Sequence, residues 1–320
     1  LQFHIGTPSE NAAMALEVLG VEVIPELPLK DDPWVPGTSA MVLDRPELAA
    51  VCALPRSTRL VADGVCGFDI LHPDSEAGRA AAQSIAEAVQ EAAGVAPACR
   101  VGTRADGLPE RHSVMLGDIG SNPALMVAYT RQFTMVDGYL PGPGGHILQT
   151  IVEPFRRGAD LVVVGASDAA GLAKAAAAFA AQVRAHGRQG QLEMPFLFAP
   201  EYAAADLRAP AFTADHVEKG LRDAQRALDE GRHTSLGGVL ASIGERYRLW
   251  GNPADATLYA AVARMYLASA SSDPRKFGGP WGFDSDFRSY AAIAGWDLVE
   301  HDPVLSDEER LVTSQMILRW

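Results

Sequence analysis

The sequence predicts a multidomain α+β protein, in which a small α/β sandwich domain is followed by a region of helices only. Strand and helix patterns alternate up to about residue 186, as in an α/β layer. A proline-punctuated stretch, 191–212, then breaks the alternation. From 213 to 320 every apolar pattern has the period of a helix. These three observations divide the chain into 1–66, 67–190, a linker at 191–212, and 213–320.

Composition excludes several classes of function. A formal net charge of −13 argues against a nucleic-acid partner, because phosphate backbones are bound by clustered Lys and Arg. No apolar run approaches the roughly 18 residues that span a bilayer, so no membrane partner is expected. The three cysteines, Cys52, Cys66 and Cys99, form no metal-ligand or redox motif. We therefore predict no metal and no cofactor.

Residues 1–66 are interpreted as a partial α/β segment. They begin with a strand, a helix capped by Thr7 and Pro8, and a second strand. A strand at the first residue needs neighbours, and the chain stops at Trp320 inside an apolar helical pattern. The sequence is therefore expected to be a fragment, with any signal peptide outside it.

Residues 67–190 carry the sharpest α/β pattern. A helix capped by Asp74 ends at Gly94, and an alanine-rich helix follows a run of branched residues. Two further stretches, 127–142 and 144–154, alternate like extended chain. The predicted strands are 67–72, 98–104, 112–119 and 161–165.

Residues 213–320 predict five helices. Thr213 opens the first, Asn252 with Pro253 opens the third, and Ser306 with Glu309 forms a capping box for the last. Short connections between long helices indicate antiparallel hairpins. Periodicity alone leaves a bundle, a solenoid and a closed toroid open.

Two helix junctions in this region resemble those of (α/α)-toroid polysaccharide lyases. The segment RYRLWGNPADATLYAAVARMYLASA is similar to a toroid helix-pair junction, and IAGWDLVEHDPVLSDEERLVTSQMIL is similar to the next junction in heparinase-II/III-like and alginate-lyase-like proteins. The resemblance covers about 213–320. It implies that the helices form part of an (α/α) toroid.

A second resemblance covers about 67–186. HPDSEAGRAAAQSIAEAVQEAAGV and LVVVGASDAAGLAKAAAAFAAQV look like parts of the small α/β domain that precedes the catalytic domain in β-hexosaminidases and α-glucuronidases. In those families the domain is usually structural. The resemblance implies a non-catalytic support domain.

The stretch KFGGPWGFDSDFRSY is the main candidate substrate site. Trp281 and Phe283 offer flat apolar faces, and Asp284 and Asp286 bring two carboxylates to a helix start. Sugars present apolar C–H faces beside hydroxyl groups, so this combination suits a saccharide subsite. The two aspartates are also candidate catalytic acids of a hydrolase. Helix capping and packing is the alternative interpretation.

Three residues outside that stretch are further candidates. Toroid lyases resemble one another in using Asn or His to neutralise a uronate carboxylate and Tyr or His to remove the C5 proton. His233 and Tyr247 are candidate catalytic residues by residue type alone, because the resemblance implies that the catalytic motifs lie on later helices, beyond Trp320. Trp296 is a candidate substrate-binding residue. The alternatives are a surface-loop histidine at 233 and core packing at 247 and 296.

The predicted function is a bacterial, secreted or periplasmic enzyme that degrades a polysaccharide. β-Elimination on a uronic-acid-containing glycan is the first choice, and hydrolysis by a toroid glycosidase is the second. A non-catalytic αα-solenoid that binds glycans or proteins is the alternative from a different class.

Overall fold

The computed structural model divides the chain into two compact units, Leu1–Pro46 and Glu47–Trp320. It describes residues 48–204, 207, 210, 212–232, 235–272 and 283–319, all in the second unit. The strand and helix predicted at the start of the chain lie outside these residues. The strands are β1 Ser57–Ala62, β2 Val65–Cys66, β3 Phe68–His72, β4 Ala98–Val101, β5 His112–Gly117, β6 His146–Ile151, β7 Leu161–Gly165, β8 Gly187–Arg188, β9 Gln191–Pro195 and β10 Phe198–Glu201. The α-helices are α1 Glu76–Ala93, α2 Met126–Thr130, α3 Ala169–His186, α4 His216–Asp229, α5 Ser235–Trp250, α6 Pro253–Ser272, α7 Phe283–Val299 and α8 Asp307–Arg319.

A six-stranded sheet in the order β10-β6-β7-β5-β3-β4 organises the α/β part. β4, β3, β5 and β7 run parallel to one another. β6 pairs antiparallel with β7, and the edge strand β10 pairs antiparallel with β6. Every residue of β7 is buried, as expected for a central strand covered on both faces. The mixed α/β character predicted for this region is therefore confirmed.

Side chains alternate between two cores across this sheet. Ile70 and Val162 point into a core formed with α1 and α3, which includes Phe179. Leu71 and Val163 point into the opposite core, which includes α2. Because successive side chains of a strand point to opposite faces, the same strands contribute residues to both cores.

Residues 191–201, which the sequence analysis assigned to the linker, form β9 and β10. β9 joins a second, four-stranded sheet in the order β2-β1-β9-β8. β10 completes the edge of the large sheet by pairing with β6. The stretch 127–142, predicted as extended, instead contains α2 followed by loop, and the cap of α1 is Ser75 rather than Asp74.

The helical part has two layers. α4 and α8 both pack against α6, while α5 packs against α7. Helices therefore contact their second neighbours along the chain, which is the pattern of helical hairpins stacked in two layers. The closest approach joins α5 and α7, where a Cβ added at Gly244 would lie 2.7 Å from the Cα of Gly295.

The start signals predicted for two of these helices are present. The Oδ1 of Asn252 accepts from the backbone N–H of Ala254 at 2.9 Å before α6. Ser306 and Glu309 form the reciprocal capping box of α8, with bonds of 2.8 and 3.2 Å.

β10 and α5 join the two parts. The ring of Phe198 meets Tyr247 edge-on, with centroids 5.3 Å apart. Gly251 has a φ of +59°, and a Cβ there would clash with Phe198, so only glycine fits. The side chain of Arg56, the residue before β1, also reaches the helical part, because its Nη2 donates to the carbonyl of Leu305 at 2.8 Å. The α/β and helical parts thus share extensive contacts within one compact unit.

Candidate functional site

The exposed face of the α5–α7 layer carries a mixed aromatic and acidic surface. Tyr290, Ile293 and Asp297 follow one another on α7 at helical spacing, and all three are exposed. Tyr290 is 64% exposed, which is high for an aromatic side chain. On α5, Ser242 and Glu245 are exposed one turn apart. We refer to these five residues, together with Arg248 and Gln132, as the α5–α7 site.

Arg248 lies beneath this surface, with its side chain only 8% exposed. Its Nη1 donates to the Oε1 of Gln132 at 2.9 Å, and its Nη2 donates to the carbonyl of Ala294 at 3.2 Å. Its Nε has no hydrogen-bond partner among the described residues. The nearest acidic partner is the Oε1 of Glu245, at 3.9 Å. Arg248 is therefore a buried cation that is only partly compensated, which is unusual outside functional sites.

Gln132 links Arg248 to Tyr290. Its Nε2 donates to the hydroxyl oxygen of Tyr290 at 3.1 Å. The backbone of Gln132 has a φ of +61°, a region that side chains other than glycine and asparagine rarely occupy. Backbone strain of this kind persists where the surrounding structure holds it, often at functional sites.

Two carboxyl groups at the C-terminal end of α7 have raised pKa values, and the charge of Arg248 acts on that of Asp297. Desolvation raises the pKa of Asp297, although its side chain still reaches solvent, and the charge of Arg248 opposes that rise. Burial raises the pKa of Glu300 to about 7, with Arg310 opposing and Asp297 adding to the rise. The α5–α7 site therefore combines a cation, Arg248, with a phenol, Tyr290, and with Asp297, a carboxyl group whose pKa is raised.

The predicted site residues fall in three places. Tyr247 is fully buried and its hydroxyl donates to the Oδ2 of Asp302 at 2.9 Å, a position that favours the packing alternative. Trp296 is 5% exposed and stacks on Tyr259 with centroids 5.8 Å apart, which likewise favours packing. His233 and Trp281 lie outside the described residues.

The other three predicted residues begin α7. Phe283, Asp284 and Asp286 belong to its first turn, where the backbone is helical and the side chains are not among those described. Asp286 precedes Tyr290 by four residues, which is about one helical turn. The predicted stretch therefore leads directly into the α5–α7 site.

Sequence reasoning missed Gln132, Arg248 and Tyr290. Helical spacing from Asp286 could have pointed to Tyr290 and Asp297 on one helix face. Nothing in the sequence signals Gln132, because it is 158 positions from Tyr290 along the chain.

A groove of about 630 Å³ lies on the opposite layer, between α4, α6 and α8. Its apolar floor includes Leu221, Ala260 and Met265. Arg222 on its rim pairs with Glu218 on the same helix, one turn away. No residue of the α5–α7 site contributes to the groove, and its charges compensate one another.

The chain matches no protein-family model, and comparison with curated protein sequences gives no significant match. Among the residues that the structure describes, no group of three or more His, Cys, Asp and Glu side chains is arranged to hold a metal ion. None of the helices described is long and apolar enough to cross a membrane.

Proposed function

We propose that the protein is a secreted or periplasmic polysaccharide-degrading enzyme that acts by β-elimination on a uronic-acid-containing glycan. In this proposal α4 to α8 are part of an (α/α) toroid, and the α5–α7 site binds the substrate. The observation that carries the proposal is the partly compensated cation of Arg248 beside the exposed phenol of Tyr290.

The spacing of the helices supports the toroid. In a curved two-layered array the inner layer has the smaller radius, so its helices lie closer together. α5 and α7 meet at the glycine pair Gly244 and Gly295, whereas the other layer leaves a groove. We therefore assign α5 and α7 to the inner layer. Their free face would then line the concave side, where a long polymer can be held.

The chemistry of the site suits elimination. Removing the C5 proton of a uronate makes an enolate-like carboxylate, which a guanidinium stabilises through charge-assisted hydrogen bonds. Arg248 is our candidate for that role. Tyr290 is the candidate for proton transfer, because its oxygen can accept the C5 proton while its own hydroxyl proton passes to the leaving oxygen O4. The electron pair then forms the C4–C5 double bond, the C4–O4 bond breaks, and the leaving oxygen takes a proton.

A toroid glycoside hydrolase is the second candidate function. The raised pKa of Asp297 favours it, because a hydrolase needs one carboxylic acid that stays protonated to donate to the leaving oxygen. Asp284 and Asp286 remain candidates for the partner carboxylate. A glycan-binding or protein-binding αα-solenoid remains the non-enzymatic candidate.

One assay separates the three candidates. The full-length protein is incubated with alginate, heparan-type, pectic and neutral polysaccharides, while ultraviolet absorbance and reducing ends are followed together. A rise in both is expected, because elimination leaves an unsaturated sugar that absorbs. Reducing ends alone would assign a hydrolase, and no change in either would favour the binding module.

Variants of tyrosine test the site itself. Tyr290→Phe is expected to lower kcat by about 100-fold or more, since proton transfer contributes that much in enzymes. Tyr139→Phe is the matched control, because Tyr139 is 87% exposed and belongs to the α/β part. Equal activity of the two variants would remove Tyr290 from the mechanism.

A further inference from the structure

Gln132 belongs to the α/β part, although its side chain reaches the helical part. It follows α2, whose last turn holds it through a bond from the Gln132 backbone N–H to the carbonyl of Tyr129, at 2.9 Å. The next residue, Phe133, packs against both the helical core and the core beneath the sheet. The Nε2 of Gln149 in β6 also donates to the carbonyl of Phe133 at 2.7 Å.

We infer that Gln132 is a positioning residue that the α/β part supplies to the α5–α7 site, where it sets the orientation of Arg248 and Tyr290. This inference rests on the proposed function, because it concerns the same site. It also departs from the expectation that the α/β part is a support without a role in catalysis.

The orientation of the Gln132 amide follows from hydrogen-bond chemistry. A guanidinium has donors only, so the group that faces Arg248 must be the amide oxygen. The amide nitrogen then faces Tyr290 and donates to its oxygen. That bond leaves the phenolic hydrogen free to be given to a ligand. One side chain thus orders both a cation and a proton donor.

The strained backbone fits this role. A φ of +61° is unfavourable for a residue with a side chain such as glutamine, and glycine would avoid that cost. The contacts of Phe133 hold the segment on both sides, so the strain is maintained by packing. The result is a fixed side chain that spans the junction between the two parts.

The test uses two substitutions at position 132 in the full-length protein. Gln132→Met keeps the length of the side chain and the same backbone strain, but it removes the acceptor and the donor. Gln132→Glu keeps an acceptor for Arg248, loses the donor to Tyr290 and adds a negative charge beside the cation. Gln83→Met is the control, because Gln83 is an exposed residue of α1 whose amide donates to the exposed Glu87 on the same helix.

With the uronate polymer that the wild-type protein cleaves, Gln132→Met is expected to lower kcat by about tenfold or more, the value of one hydrogen bond to a charged group. Gln132→Glu is expected to raise KM by a similar factor, because its carboxylate competes with the anionic substrate for Arg248. A residue that serves stability alone would lower Tm without such a charge-dependent change in KM. If the wild type is active and Gln132→Met stays within about twofold of it, the inference is overturned while the proposed function stands.

A second measurement needs no substrate. Tm is compared for Gln132→Met, Tyr290→Phe and the double variant. The shift of the double variant is expected to be smaller than the sum of the single shifts, because both remove the same hydrogen bond. If the wild-type protein cleaves no polysaccharide of the panel, the proposed function fails and this comparison decides the inference. Additive shifts would then overturn it, and non-additive shifts would support it.

Discussion

The α/β part and the helical part bury their polar groups in different ways. In the α/β part the amide of Asn122 donates to the carbonyls of Leu71 and Leu116, at 3.0 and 2.8 Å, so a polar side chain completes the backbone bonding at the strand ends. The two buried side-chain atoms there without a hydrogen-bond partner, among the described residues, belong to Thr134 and His146, and the Nδ1 of His146 lies 3.5 Å from the Oε2 of Glu201. Desolvation lowers the pKa of His146, and the charge of Glu201 opposes that change.

The helical part instead buries charged groups with incomplete pairing. The side chains of Arg248 and Arg310 are 8% and 3% exposed, and the Nε of each lacks a partner among the described residues. The Oδ2 of Asp255, a fully buried residue, is also unpaired. Buried charges cost stability unless their geometry is very good. Among the described residues, the buried atoms without a hydrogen-bond partner thus belong to arginine and aspartate side chains in the helical part, and to Thr134 and His146 in the α/β part.

Removing a charged residue should give the largest difference in stability loss between the two parts, because the helical part buries its charges. The Oδ1 of Asp255 accepts from the Nη2 of Arg246 at 2.6 Å and lies 2.9 Å from the Nε2 of His216. Asp255→Ala leaves both partners without their anion, and we expect a loss of about 3 kcal/mol in the free energy of unfolding. Urea denaturation measures it.

An exposed acidic residue of the α/β part is the control for Asp255. Asp74 pairs with Arg79 at 3.2 Å, and its side chain is 77% exposed. Asp74→Ala should cost less than about 1 kcal/mol. Similar losses for the two variants would contradict the claim that the helical part depends on buried charge.

The sequence predicted the elements whose patterns are local. Continuous branched residues predicted β7, and the Ser306–Glu309 capping box predicted the start of α8, because both signals lie within a few residues. The strands at 191–201 were missed because Pro195 and Pro200 suggested a linker. Pro195 ends β9, and Pro200 lies in the edge strand β10, where a missing donor is tolerated.

The candidate site was only partly predictable. The stretch that includes Asp284 and Asp286 leads into the site, because Asp286 and Tyr290 are one helical turn apart on α7. The contribution of Gln132 depends on the packing of the α/β part against α5 and α7, and no local pattern encodes such a contact. Likewise, burial of Tyr247 and Trp296 was set by which helix faces meet, and periodicity does not determine that pairing.

The close approach of α5 and α7 predicts a second, smaller difference in stability, between two glycine variants of α5. A Cβ at position 244 would lie 2.7 Å from backbone at Gly295, so Gly244→Ala forces the helices apart. We expect a loss of about 2 kcal/mol, as for overpacking in a core. Gly238→Ala on the same helix meets nothing within 4 Å and should instead stabilise by about 0.5 kcal/mol, since alanine favours a helix. Thermal unfolding of the two variants compares them, and equal shifts would show that the glycine contact does not limit packing.

The dependence of stability on pH should reveal the smallest effect. Burial raises the pKa of Glu300 from 4.5 to about 7, and burial lowers the pKa of His301 from 6.5 to about 4, with Arg310 lowering both. Glu300 therefore contributes stability at low pH that is lost as pH rises from 4.5 to about 7. His301 contributes stability above pH 6.5 that is lost as pH falls to about 4. The two slopes oppose each other, so the wild-type profile should be nearly flat over the shared range.

Single substitutions separate these two slopes. In His301→Gln, stability should fall by about 1 kcal/mol as pH rises through the titration of Glu300, a value reduced from the full shift because that side chain is 28% exposed. In Glu300→Gln, stability should rise with pH over the range in which His301 loses its proton. Urea denaturation from about pH 4 to pH 8 measures both profiles. Two flat profiles would mean that neither group is desolvated enough to couple folding to pH, and the contrast with the α/β part would then rest on the arginines and Asp255 alone.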